Sequence, residues 1–397
     1  MGLAALLRLN FAGADLGALG QRLLADAAES DDPAAMLDAS TVLQIKGSPD
    51  IALALQGEAL KLERHYRLPA IGDAPRLRLL ALMAPGDLMA NVPVECLVED
   101  SEVQLDLCYV APGASLVDPV PEHDLLFVAL SETDANRPLV EALGRDLAGW
   151  PRPVLNRPGN IARVGRDAAS VLLADVPGVA IPPTLRVNRA ALEAVARGEA
   201  PLSALLPGAD FPVILRPVDS HAGHDLNRVD SGEALGALLP AIASDAFFVS
   251  PYVDYRGADG QFRKYRVALI DGAPYACHMG VSEHWMIHYL NAGMADSAAK
   301  RAEEARFMAE FDQGFARRHA AALAAVAERI GLDYVCIDCA ETRDGELLIF
   351  EVDHAMVLHA LDPVDVFPYK QPQMRKVFAA FRAMLARRAA GGAAAGG

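Results

Sequence analysis

Cysteine is scarce: Cys96, Cys108, Cys277, Cys336 and Cys339 are the only five in 397 residues. An odd, scattered set in a long chain fits free thiols in a reducing compartment rather than a disulfide framework. Cys336 and Cys339 make one C-x-x-C, but no second pair completes a zinc set and the motif lies inside a strand-like run, so its reading is structural. A basic excess is also missing: 36 Lys and Arg stand against 52 Asp and Glu, for a net charge of −16. A general nucleic-acid binder carries a basic face, so that partner is excluded. No apolar run approaches the roughly 18 residues of a membrane span. The start, Met1 to Arg8, lacks a charged leader with a cleavage site, and Leu6 breaks the myristoylation pattern. The chain is expected to be cytoplasmic, with no membrane and no nucleic-acid partner.

What remains is an ordinary globular composition, 52% hydrophobic and 22% charged. Residues 1–70 read as helical. Leu16, Leu19, Leu23 and Leu24 have helical spacing. Asp32-Pro33 suits a helix start, and Gly47-Ser48-Pro49-Asp50 separates runs over 34–45 and 51–67. The pair makes a hairpin that loosely resembles one tetratricopeptide-like repeat. One such unit cannot bury its face alone. It must pack on the next domain, on another copy as in a homodimer, or on a partner. Residues 71–160 alternate apolar runs (77–83, 103–110, 125–130) with a helical run over 133–147, the pattern of a parallel α/β layer. Loops 86–95 and 131–136 follow strands, where ligands of such layers sit. Pro151, Pro153 and Pro158 mark a linker. Helices are expected over 163–173, 303–330 and 373–388, and the Gly/Ala tail 389–397 reads as disordered.

The most telling stretch is near the end. Residues 335–339 and 346–350 read as strands flanking a turn at Asp344-Gly345. Alternate side chains of a strand share a face, so Glu351 and Asp353 point the same way and a paired strand brings Asp338 beside them. Three converging carboxylates need a cation among them, and hard oxygen ligands suit Mg²⁺ with phosphates. The alternative is three acids on a solvated sheet edge.

A phosphate side is legible upstream. The run 211–217 ends in Arg216, and the loop Ser220-His221-Ala222-Gly223 is small enough for backbone N–H groups to approach a phosphate. A plain turn is the alternative. The strand over 246–249 exits into Ser250-Pro251-Tyr252-Val253, where an adenine can pair with backbone groups. Runs 265–270 and 273–278 form a hairpin about Asp271-Gly272, placing Arg266 and His278 toward a cleft or on an outer face. The loop 281–289 reads as part of a substrate pocket or lid, or as a plain loop.

The order of these pieces, over roughly residues 75 to 385, resembles the ATP-grasp superfamily of carboxylate–amine ligases. The strongest element is Asp338 followed by Glu351, at the interval of the D-alanine–D-alanine ligases. The resemblance implies an α/β fold of α+β ATP-grasp architecture: a parallel α/β pre-ATP-grasp domain, a small lobe over 161–250 and a large lobe over 251–388, with ATP between the lobes. It implies that Asp338 and Glu351 bind Mg²⁺, with two ions bridged by Glu351, and that Asp353 stands where the family has asparagine. Arg166 and Arg216 replace the family's nucleotide lysines, and both add bidentate donors. Ser250 to Val253 matches the adenine hinge, and Lys264 stands where relatives have an acid for the ribose. Cys336 replaces the arginine that holds the tetrahedral intermediate, which leaves Arg266 or His278 for that role. The implied activity is Mg²⁺- and ATP-dependent joining of a carboxylate to an amine through an acylphosphate, with ADP and phosphate released and small-molecule or peptide substrates. Two alternatives are modification of a ribosomal peptide precursor, recruited by the helical hairpin, and a degenerate ATP-binding scaffold without turnover.

Overall fold

The computed structural model describes residues 1–395 except 73, 112, 114, 115, 117, 221 and 222. It divides into two units. The first is Met1–Ile161 with Leu332–Val335 and His354–Gly397; the second is Ala162–Gly331 with Cys336–Asp353. The α/β class expected from the sequence holds, with helices and sheets in both units.

The first unit opens with α1 (Leu3–Phe11), α2 (Leu16–Ser30), α3 (Pro33–Ile45) and α4 (Pro49–Leu62). Asp15 and Asp32 accept from Ala18 N and Ala34 N, which satisfies first-turn donors of α2 and α3. Pro33 and Pro49 fill first-turn positions, where the missing N–H costs nothing. Ser40 Oγ donates to Ala52 O at 2.8 Å and stitches the α3–α4 hairpin. Leu6, Leu16 and Val42 share a small apolar core. The helix expected over 51–67 stops at Leu62, and His65–Leu68 is a strand, β1. Pairing with another strand, and the draw of a buried carboxylate on His65 and Arg67, override the local helical pattern.

The unit's sheet adds β2 (Leu77–Met83), β3 (Val103–Tyr109), β4 (Leu125–Val128) and β5 (Val154–Leu155) in the order β1-β3-β2-β4-β5. β2 to β5 are parallel and β1 is an antiparallel edge. β4 is buried throughout, as its unbroken apolar run requires. The helix expected over 133–147 starts only at Arg137, because Pro138 favours the first turn. The C-terminal helix is longer than its apolar pattern, Lys370–Ala395, and runs through most of the stretch expected to be disordered. Alanine has the strongest intrinsic helix propensity, which extends it. Its Phe381 packs edge-on against Phe127 and Tyr334, with centroids 5.9 and 5.4 Å apart.

The second unit holds two sheets. One orders β7 (Leu185–Asn188), β10 (Ala246–Pro251), β8 (Val213–Pro217) and β9 (Asn227–Val229), all antiparallel. The other orders β12 (Ala273–Ser282), β11 (Phe262–Ile270), β13 (Tyr334–Glu341), β14 (Leu347–Asp353) and β6 (Val179–Ala180). Asp271 and Gly272, both at positive φ (52° and 79°), turn β11 into β12, and Gly345 (φ 84°) serves the β13–β14 turn. The single helix expected over 303–330 is three pieces, Ala298–Ala309, Phe315–Arg318 and Ala320–Ile330. Gly314 interrupts it, and the Ser297 side chain caps the first piece by accepting from Lys300 N. The helix expected from Arg163 begins as a 3₁₀ turn and becomes α-helical at Arg166.

Candidate active site

The site forms on one face of the β12-β11-β13-β14 sheet. Asp338 and Glu351 are directly opposite each other in the β13–β14 register, and the register shifts just after Asp338. Directly opposed antiparallel residues share a face with Cβ atoms about 5 Å apart. Asp353 lies two residues beyond Glu351, opposite Cys336.

Like charges at that spacing are answered by cationic side chains. From β11, Lys264 Nζ donates to Asp338 Oδ2 at 2.8 Å. Arg266 donates through Nε to Oδ1 at 2.8 Å and through Nη2 to Oδ2 at 3.0 Å. Burial alone would raise the Asp338 pKa, but Arg266 and Lys264 outweigh it and hold the carboxyl well below its usual range. Burial likewise opposes the charge on Arg266, and Asp338 restores it, so the guanidinium is held more firmly protonated than usual. Glu351 is gripped from the start of the helix Arg166–Leu173: Arg166 Nη2 donates to its Oε1, and Nη1 donates to Phe350 O at 3.3 Å. Burial raises the Glu351 pKa while Arg166 and Arg216 lower it, with a net fall.

Arg216 comes from the other sheet of the unit, on β8 opposite Phe248. It is 8% exposed. Burial, then the neighbouring Arg166 charge, pulls its pKa down to about 10, so it remains a cation at neutral pH. It donates from Nε to Ser220 Oγ at 3.2 Å and from Nη2 to Ser220 O, which ties down the start of the loop after β8. Gly223 has φ +76°, and a Cβ there would sit 3.5 Å from Met286 Sδ, so this loop abuts loop 283–291. His221 and Ala222, expected at the phosphate, lie outside the described residues.

At the expected adenine hinge, Ser250 and Pro251 pair with Ile214 and Val213. Tyr252 N donates to Pro212 O at 3.0 Å, so that amide is committed. The Tyr252 ring carries Arg228 on its face, 4.4 Å from the centroid, and Trp285 edge-on at 5.9 Å. Val253 follows, half-buried. Lys264, which stands where relatives have an acid for the ribose, donates to Asp338.

His278, opposite Arg266 in the register, stacks edge-on with Tyr289 at 4.7 Å. Two residues went unnoticed in the sequence. His288, beside Tyr289, has its pKa lowered by burial and by the charges of Lys264 and Arg266. Glu304 is fully buried; its Oε1 accepts from Met279 N at 3.0 Å and its Oε2 from Tyr289 Oη at 2.8 Å. The only hint of His288 was the aromatic and His content of its loop, and a glutamate on an amphipathic helix reads as a solvated one.

Among the described residues, no group of three or more His, Cys, Asp or Glu side chains is set to hold a metal. Lys264, Arg266 and Arg166 supply the positive charge instead. The facing pair Asp338–Glu351 still fits an ion that takes one or two carboxylates and completes its shell with phosphate oxygens and water.

All five cysteines are buried. No helix among the described residues is long and apolar enough to cross a membrane. No family model matches the chain, and no curated protein matches it. Among solved structures it is similar to a VanG D-Ala:D-Ser ligase from Enterococcus faecalis, at 12% identity over 79% of this chain and 100% of that one, with a TM-score of 0.47. A D-alanine–D-alanine ligase from Bacillus anthracis complexed with ATP matches at 13% identity over 78% and 98%, with a TM-score of 0.45. A RimK domain ATP-grasp protein from Sphaerobacter thermophilus matches at 18% identity over 76% and 98%, with a TM-score of 0.40.

Proposed function

We propose that the chain is an ADP-forming ATP-grasp ligase that activates a carboxylate as an acylphosphate and couples it to an amine. The observation that carries this reading is the facing pair Asp338–Glu351 ringed by Lys264, Arg266, Arg166 and Arg216, the last from a second sheet. Phosphoryl transfer asks a protein mainly to position groups and to neutralise charge in flight. Two cations and two carboxylates on one sheet face, with Arg166 from a helix start and Arg216 from the second sheet, suit that task. Asp338 and Glu351 are the residues that would hold Mg²⁺, with Asp353 adding negative charge behind them. The ion, when bound, supplies charge neutralisation at the phosphates.

In this reading Arg216 and Arg166 grip phosphate oxygens, with Ser220 and Gly223 letting the loop backbone approach. Ser250, Tyr252 and Val253 line the base. Arg266 and His278 face the substrate carboxyl and steady the tetrahedral intermediate. The substrate carboxylate attacks the γ-phosphorus, the bond to the β-phosphate oxygen breaks, and ADP leaves. The amine then attacks the acyl carbon and phosphate departs. A small-molecule or peptide pair of substrates suits the same chemistry.

A scaffold without turnover is the competing reading, favoured by one observation: Lys264 and Arg266 already occupy both oxygens of Asp338. Titration calorimetry with a non-hydrolysable ATP analogue, with and without Mg²⁺, tests the nucleotide site, and release of ADP separates the ligase from the scaffold. The ligase reading expects Mg²⁺-dependent binding that Glu351→Gln removes, followed by ADP release in a screen of carboxylates and amines. Absence of binding in both conditions overturns it.

A further inference from the structure

The first unit carries a second candidate site of its own. A cavity of about 330 Å³ opens between α3, the loop after β2 and the edge strand β1. Its walls are built. Gln56 clamps Gly86, with Nε2 donating to O at 2.9 Å and Oε1 accepting from N at 2.8 Å. Asn91 does the same for Ala84, accepting at 2.6 Å and donating at 2.8 Å.

Two features of this cavity ask for a partner. Gln44 Oε1, on the α3 wall, is buried and meets no donor among the described residues, a state that is costly to leave unmet. The second is main chain. Tyr109 N donates to Arg64 O at 2.9 Å, so 64/109 is a hydrogen-bonded pair and the alternation makes 65/108 and 67/106 non-bonded pairs. The N–H and C=O of His65 and Arg67 therefore point away from β3. Glu63 Oε1 accepts from His65 N, and among the described residues no strand pairs with that edge. Charged side chains usually guard such an edge. Here His65 Nε2 and Arg67 Nε are turned onto buried Asp106, at 2.6 and 2.8 Å. Besides Met1, whose α-ammonium pairs with Asp38, the other charge-bearing side chains on the cavity wall are the acids Glu63, Asp87 and Glu95.

We propose that β1 is a docking edge for an extended peptide, which pairs with Arg67 through its main chain and places a Lys or Arg side chain in the cavity beside Gln44. Strand addition takes affinity from main-chain bonds and specificity from a side-chain pocket, and both parts are present. A peptide accounts for the outward main-chain groups, which a free amine would not use. The site goes beyond the ligase reading and does not depend on it, since binding needs no ATP.

The test is an array of immobilised octapeptides with β-branched flanks and Lys, Arg, Ala or Glu at the centre, probed with the full-length labelled protein. Retention on Lys- and Arg-centred peptides is expected to exceed that on Glu-centred ones by about tenfold, the worth of one charge-assisted bond. Gln44→Leu should lower it by about fivefold. The best peptide should slow hydrogen exchange at the Arg67 amide, and its backbone N-methylated form should not. Equal retention on all centres overturns the proposal. So does binding that leaves Arg67 exchange unchanged, or lysine amide alone binding as tightly as the peptide.

Discussion

Arg266 closes a two-toothed ion pair on Asp338, Nε to Oδ1 and Nη2 to Oδ2, and Lys264 adds a third bond to the same carboxylate. The Asp338 side chain is 3% exposed and the two cations 20% and 16%. Asp338→Asn would leave two largely buried cations facing an amide. Breaking a buried pair from one side costs about 3–5 kcal/mol. Urea unfolding should show a loss of that order, with part recovered in the double variant Asp338→Asn, Lys264→Met. An Asp338→Asn midpoint equal to wild type would show that the cluster adds nothing to folding.

That cluster marks the boundary of what the sequence discloses. The hairpins were legible because Asp271-Gly272 and Asp344-Gly345 are turn dipeptides, with Asp271, Gly272 and Gly345 at the positive φ that few other residues accept. The facing of Asp338 and Glu351 followed from strand alternation. The identity of the counter-charge did not. Lys264 and Arg266 lie more than seventy residues upstream in sequence, and only the sheet order β11-β13 brings them to Asp338. Glu304 was invisible for the same reason. The strand β1 was lost to local periodicity, since the four residues 65–68 carry too little pattern to outweigh the helix before them.

Arg216 is the test of the phosphate loop. Burial and Arg166 lower its pKa to about 10, so its charge is intact at neutral pH and weakly solvated. On the ligase reading, Arg216→Ala should raise the dissociation constant for ATP by about 10- to 100-fold, the range of one charge-assisted bond. Arg216→Lys should restore part of it. Calorimetry at constant Mg²⁺ decides, and an unaltered constant removes Arg216 from the phosphate site.

Glu95 predicts a pH dependence in the first unit. Burial raises its pKa from 4.5 to about 7, the nearby Asp38 charge adds to the rise, and the bond from Ala4 N opposes it. A carboxyl whose folded pKa is raised binds its proton more tightly in the folded state. Its contribution is therefore full below the unfolded value and is lost as pH climbs from about 4.5 to about 7. Glu95→Gln should flatten that slope. Urea midpoints measured near pH 5 and near pH 8 should diverge less in the variant than in the wild type. An identical slope in both would assign the pH dependence elsewhere.

Glu304 tethers the loop that carries His288. Its two oxygens hold the backbone of β12 at Met279 and the phenol of Tyr289. A second anchor, Tyr255 Oη to Trp285 O, pins the loop's other end. Glu304→Ala removes both of its bonds and leaves a buried amide to find another partner, at a cost of about 1–3 kcal/mol beyond the lost packing. Tyr289→Phe removes only the tether and keeps the ring on His278. Both variants should speed chymotrypsin cleavage within 283–291, and only Glu304→Ala should lower the unfolding midpoint substantially. Because burial and the charges of Lys264 and Arg266 lower the His288 pKa, loosening the loop should also move the His288 imidazole pKa back toward 6.5. Proton NMR titration reads that directly. A His288 pKa unchanged in Tyr289→Phe would show that Trp285 alone holds the loop over the site.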